Sequence, residues 1–221
     1  MYLKLRGCEA FTGHRVEITD LREAMFDEAV HVLLSAFQRE AFTAAWLDLS
    51  RERLRRIYAR AVRLKFTLYL EAGHPIQAVV ENGRVIGLLV MKFPYVTISK
   101  TRLLRSLLPL LPRLVGLVPS FIRSIPIGGA TKPPGGLPEN HCTLEAMAVH
   151  PLHQGKGIGR LLLEKAKELA CADETISGIY LFTGDEKNYL FYRRYGYQLI
   201  EKRQTGIFTS YHMLLAKAGS R

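Results

Sequence analysis

The stretch LEAMAVHPLHQGKGIGRLLLEKA, residues 144–166, constrains the fold more than any other part of the chain. An apolar run reads as a buried strand, Pro151 ends it, and Ile158, Leu162, Ala166 and Leu169 then recur at helical spacing. Between strand and helix stand Gly155, Gly157 and Gly159. Glycines this dense weaken a helix start, so a mere connecting turn is a poor account of them unless bare backbone has a use. Without side chains the backbone can curl tightly and approach an anion, and its amides join the positive end of the helix dipole to make a phosphate site. Lys156 and Arg160 add positive charge. The spacing is G-x-G-x-G, not the G-x-G-x-x-G of dinucleotide folds, and no P-loop Lys-Ser/Thr pair follows, so both of those nucleotide folds lose ground.

Around this unit the chain alternates strands and helices. Val16 to Ile18 suggests a short strand, and Arg22 to Phe37 repeats apolar residues at helical spacing. A second helical region spans Ala44 to Lys65, with Arg51, Arg53, Arg55, Arg56, Arg60 and Arg63 off its apolar face; a solvated helix surface is the ordinary reading of such arginines. The runs IQAVV and RVIGLLVMKF flank Asn82-Gly83, a strong hairpin signal. CTLEAMAV, IYLFT, QLIEK and YHMLL read as further strands, with a helix from Ile158 to Cys171 and a short one ending near Tyr195. The expected class is therefore α/β (α+β), a mixed, mostly antiparallel sheet of six or seven strands flanked by helices. One domain spans residues 1–221. Residues 96–140 fit no strand or helix of that sheet and read as an insertion between the third and fourth strands, in which Pro109, Pro112 and Pro119 would interrupt any single long helix.

Composition bounds the rest. Cys8, Cys142 and Cys171 are odd in number and widely spaced, which argues against a disulfide framework and a metal site. Lys4 and Arg6 are followed by Glu9 rather than by an apolar run, and no uncharged stretch of about 18 residues appears, so the chain reads as cytoplasmic. A formal charge of +11 favours an anionic partner without choosing among nucleic acid, a membrane surface and a polyphosphate cofactor.

Gln154-Gly155-Lys156-Gly157-Ile158-Gly159 resembles the Gln/Arg-x-x-Gly-x-Gly/Ala signature of the GNAT superfamily of N-acetyltransferases, and LEAMAVHP resembles that family's central strand. The order of elements is similar over most of the chain, the insertion excepted; the layout also resembles the puromycin acetyltransferase branch. The resemblance implies acetyl-coenzyme A as co-substrate, no metal, and a V-shaped split between the central strand and the strand at Tyr180 to Thr183. In that split the backbone of Met147, Ala148 and Val149 would pair with the pantetheine arm and polarise the thioester. Gln154 to Arg160 would hold the pyrophosphate.

EKNYLFYRRYGYQL resembles the family's Asn-x-x-x-x-x-Tyr helix and the Gly-aromatic turn after it. Asn188 and Tyr192 are four apart, so one helix face could bring both to the cofactor, with Tyr192 as general acid for the departing thiolate. The alternatives are a helix cap for Asn188 and a core aromatic for Tyr192. Glu145 is the candidate base, the lone charged side chain of CTLEAMAV, and strict alternation would put it on the face of Met147 and Val149. A structural carboxylate is its plainer reading, and His141 and His150 at the strand ends are further candidates.

The function expected is acetyl transfer to a primary amine, of a small molecule first and of a protein or peptide second, by direct attack in a ternary complex. The insertion is expected over the acceptor side of the cleft or at a homodimer contact. The competing class is a basic binding module in which residues 100–125 and the arginine-rich helix meet a membrane or nucleic acid. Nucleic acid is not the expected partner, and the prolines weaken a continuous membrane-surface helix.

Overall fold

A computed structural model describes residues 16–108, 111–206 and 208–217 of the protein. Lys4, Arg6, Cys8, Glu9 and Pro109 lie outside them. A seven-stranded sheet runs in the order β1-β2-β3-β4-β5-β7-β6. Its strands are β1 (Val16–Asp20), β2 (Ile76–Glu81), β3 (Arg84–Lys92), β4 (His141–Val149), β5 (Gly178–Thr183), β6 (Gln198–Gln204) and β7 (Thr209–Ala216). Every neighbouring pair is antiparallel except β4 and β5. The β2–β3 turn is the Asn82-Gly83 pair, both residues at positive φ as a tight hairpin turn requires.

Helices cover both faces. On one, α1 (Phe26–Phe37) and α3 (Glu52–Ala72) close a core containing Val30, Phe66, Ile76, Leu88 and Ala148. On the other, α7 (Ile158–Cys171) and α8 (Glu186–Arg194) close a second core containing Leu89, Leu144, Leu162, Leu181 and Met213. The helical region expected from Ala44 to Lys65 is in fact two helices. Glu40 caps α2 (Ala41–Trp46) by accepting from the amides of Phe42 and Thr43, and a turn in which Asp48 accepts from Ser50 separates it from α3. Helix α3 runs past Lys65 because Phe66, Leu68 and Tyr69 continue its buried face. Arg51, Arg53, Arg56 and Arg60 are exposed, as a solvated helix surface would have them.

The insertion folds as α4 (Lys100–Leu107), α5 (Leu111–Leu114) and α6 (Val118–Thr131), with Pro112 and Pro119 in the first turns of the last two, where a missing amide hydrogen costs nothing. Its far end is tied down. His212, fully buried, accepts the Tyr180 hydroxyl at Nδ1 (2.7 Å) and donates from Nε2 to the Ala130 carbonyl (2.8 Å), an arrangement that needs a neutral ring; burial lowers its pKa accordingly. Ser210 donates to the same carbonyl, and Arg203 donates to the carbonyls of Gly129 and Lys132.

Strands β5 and β7 approach closely at Gly178, where an added Cβ would lie 2.7 Å from the Leu215 carbonyl oxygen. Backbone cannot yield to that clash as a flexible side chain could. Gly178→Ala should destabilise the fold by about 1–3 kcal/mol through overpacking, read as a lower midpoint in urea unfolding. An unchanged midpoint would mean that the closed end of the sheet is looser than described.

Candidate active site

Strand β4 is paired with β3 along its length, from Thr143↔Lys92 to Val149↔Gly87. Its pairing with β5 covers only His141↔Gly178, Cys142↔Ile179 and Thr143↔Tyr180. Beyond Thr143 the two strands part, because β5 stays with β7 as far as Thr183 while β4 stays with β3. The β4 edge that faces the gap, Leu144 to Val149, therefore has no ladder partner from β5. Backbone amides and carbonyls along such an edge call for a partner, and an extended chain with its own amides can supply one. Met147 and Val149 are half-buried, and Ala148 is buried.

The gap opens toward the glycine loop. Gly155 and Gly157 have φ of +78° and +79°, in the left-handed region that glycine alone adopts readily, and nothing lies within 4 Å of where a Cβ would be. Gly157 is the N-cap of α7; no side chain caps that helix and no acidic residue sits in its first turn. The first-turn amides cannot bond within the helix, and no side-chain cap takes them. Gln154 braces the loop by donating from Nε2 to the Val149 carbonyl (3.1 Å). Ile158 is buried against Gly87, and Gly159 leaves room for the Phe191 ring, 3.2 Å from its would-be Cβ. Lys156 is exposed, and Arg160 pairs with Glu164 one turn on. These three glycines thus divide the work: two hold a left-handed, side-chain-free turn, one admits a packed aromatic.

On α8 the two sequence candidates fare differently. Asn188 is exposed, and Asp185 rather than Asn188 caps the helix, accepting from the amides of Lys187 and Asn188. Tyr192 is 7% exposed, its ring packed against Phe191 and Tyr197 in the α7-side core. Burial, with a smaller contribution from the charge of Glu40, pushes its phenol well above the ordinary value, so the hydroxyl is a weaker acid than a free tyrosine and stays protonated.

Glu145 departs from the expected geometry. The β3–β4 register shifts between Val90↔Ala146 and Met91↔Leu144, so Glu145 is the extra residue of a β-bulge. The bulge interrupts alternation: Leu144 packs in the α7-side core and Ala146 in the α1/α3-side core. Glu145 therefore does not share the face of Met147 and Val149; it turns to α3, where Lys65 donates to its Oε2 at 2.8 Å. Tyr69 lies beside it, and burial, then the Glu145 charge, raises that phenol's pKa. Lys65 also sits over the Tyr69 ring at 5.1 Å. Lys65 and Tyr69 were not legible as site residues, because nothing local marks a helix residue 80 positions away as a partner of β4.

His141 and His150 stand at opposite ends of β4. His141 bonds the Pro138 carbonyl and His150 caps the turn at Pro151–His153, so both serve the strand's ends. Among the described residues no group of histidine, cysteine or carboxylate side chains could hold a metal ion.

The insertion borders this region on two sides. A groove of about 260 Å³ between α3 and α4 is lined by Leu64, Lys65, Leu68, Tyr69, Leu103 and Leu107. Helix α6 packs on α2, with Phe121 stacked on Trp46 at 6.1 Å, and α2 is capped by Glu40.

Residues 120–199 match the family model for the acetyltransferase (GNAT) domain, the span that contains β4, the glycine loop, α7, β5 and α8. Over that span the chain is similar to the acetyltransferase (GNAT) domain family. Solved GNAT structures share its fold at low identity. A Corynebacterium glutamicum protein described as histone acetyltransferase HPA2 and related acetyltransferase is 18% identical, covering 90% of this chain and 94% of its own, with a TM-score of 0.57. The PaiA N-acetyltransferase of Thermoplasma acidophilum, in complex with coenzyme A, is 13% identical over 92% and 99% of the two chains, with a TM-score of 0.56. The yncA protein of Salmonella typhimurium, with acetyl-CoA, is 14% identical over 91% and 94%, with a TM-score of 0.56. No curated protein matches the chain significantly by sequence. The fold expected from the glycine signature is the one these acetyltransferase structures share with this chain.

The glycine loop gives a sharp expectation for acetyl-CoA binding. Gly157→Glu would set a carboxylate where a phosphate should approach and force a β-carbon into the left-handed region. Calorimetry should show acetyl-CoA affinity lost with the fold retained by circular dichroism; unchanged affinity would move the pyrophosphate elsewhere.

Proposed function

We propose that the protein transfers the acetyl group of acetyl-coenzyme A to the primary amine of a small molecule, by direct attack in a ternary complex. The observation that carries this reading is the unpaired edge of β4 leading into a side-chain-free loop at the start of α7. An arm that carries amides suits the edge, and a pyrophosphate suits the loop. Gln154 to Arg160 would hold the pyrophosphate, Met147 to Val149 would pair with the pantetheine arm and polarise the thioester carbonyl, and Asn188 at the surface of α8 would meet the cofactor's outer portion.

In the chemical step the amine nitrogen attacks the thioester carbonyl carbon, an N–C bond forms and the C–S bond breaks. Glu145, positioned by Lys65, takes a proton from the amine directly or through one water. Tyr192, protonated at neutral pH, gives its proton to the departing thiolate as basic charge develops on the sulfur. The acceptor would enter from the side of α3 and the insertion, where Lys65 and Tyr69 gather about Glu145, and the insertion would shape its choice. The insertion's place between the third and fourth strands, similar in layout to the puromycin acetyltransferase branch, favours a small acceptor. The fixed end of α6 makes it a wall rather than a hinged lid.

Thiol release from acetyl-CoA, measured against a panel of small amines and of peptides, tests the acceptor class; turnover with peptides alone would replace the small-molecule reading. Tyr192→Phe should keep acetyl-CoA affinity and lower kcat roughly 10²–10⁴-fold, the usual loss for a general acid. Full activity would assign Tyr192 to packing alone.

A further inference from the structure

Helix α6 is apolar on both of its faces. Ile127 and Ala130 are buried against Phe208, Trp46 and Phe42, while Val118, Ile122 and Ile125, at i, i+4 and i+7, point to solvent; Ile122 is 60% and Ile125 73% exposed. A helix apolar all round is ordinarily covered all round. The exposure continues into the rest of the insertion, where Leu104 is 64% and Leu108 62% exposed. Most of the exposed large apolar side chains among the described residues lie between Leu103 and Ile125.

Charge says what could cover this face. Between Glu81 and Glu139 the sequence holds no acidic residue, but it holds Arg84, Lys92, Lys100, Arg102, Arg105, Arg113, Arg123 and Lys132. Arg53, Arg56 and Arg60 of α3 line a second groove with Pro112 and Val115 of the insertion, so the apolar face is bordered by the arginine-rich side of α3. Glu52 and Glu71 are the acids at this border and are already paired with Arg56 and Arg102, so a second copy docked face to face would set the remaining cations, Arg53, Arg60, Arg105 and Arg123, mainly against cations. Nucleic acid would satisfy the arginines, but aliphatic side chains give bases little to stack on. An anionic bilayer surface satisfies both, taking the aliphatic chains into the acyl boundary and the cations among its headgroups. Pro112 and Pro119 are no obstacle, because short helices started by prolines can lie in the interface plane separately. No helix among the described residues is long and apolar enough to cross a membrane, so contact would be peripheral.

We propose that the outward face of residues 100–125 docks the protein on anionic lipid surfaces. The docking face is separate from the cofactor loop and does not depend on the acceptor proposed above. Flotation of the full chain with vesicles tests it. Vesicles of phosphatidylcholine doped with phosphatidylserine should carry the protein, phosphatidylcholine alone should not, and high salt should weaken the binding. The paired change Ile122→Glu and Ile125→Glu should reduce vesicle affinity roughly tenfold or more while melting temperature and acetyl-CoA affinity stay as they are. Should that pair fail to fold, Arg102→Glu with Arg105→Glu serves instead, at about fivefold per lost cation or more. No flotation with anionic vesicles, equal flotation by a folded variant, or a dimer that Ile122→Glu and Ile125→Glu dissociate without any vesicle binding would each overturn the proposal.

Discussion

Everything in the candidate site follows from the parting of β4 and β5 after three ladder pairs. Each strand is held by its other neighbour, β4 by β3 and β5 by β7, so the sheet stays whole while a gap opens in its middle. Helix α7 follows β4 across a short turn, which puts its uncapped start and the two left-handed glycines at the gap's open end. Helix α8 follows β5 and buries Tyr192 in the core beneath. Had β4 and β5 paired throughout, the backbone of Met147 to Val149 would be spent on the ladder and the glycine loop would face nothing.

The bulge at Glu145 adds a second consequence. One extra residue in β4 turns its carboxylate away from the α7 face to Lys65 and Tyr69 on α3. Glu145, with Lys65 and Tyr69, thereby lies on the opposite face of β4 from Met147 and Val149. The insertion flanks that group, with α4 along the Lys65–Tyr69 groove and α6 on α2.

Much of this was legible in the sequence, and the rest was not for identifiable reasons. Asn82-Gly83 marked the hairpin because tight turns demand positive φ, and the spacing of Gly155, Gly157 and Gly159 marked the tight, side-chain-free turn into α7. Seven strands and the insertion followed from periodicity. Alternation misplaced Glu145, since a bulge leaves no trace in hydrophobic pattern when the residues around it are small and apolar. The break at Asp48–Ser50 was missed because α2 and α3 keep apolar residues at compatible spacing on either side. The anchoring of Ala130 by His212 and Ser210 joins residues some eighty positions apart, and only the three-dimensional path of the chain brings them together.

Hydrogen exchange with and without acetyl-CoA tests the central claim most directly, because it reads the backbone groups on which the account rests. The amides of Met147 to Val149 and of Gly155 to Arg160 should slow together on binding, while those of α4 and α6 keep their rates. Protection confined to the insertion or to α3, with the β4 edge and the glycine loop unchanged, would contradict a cofactor lodged in the split.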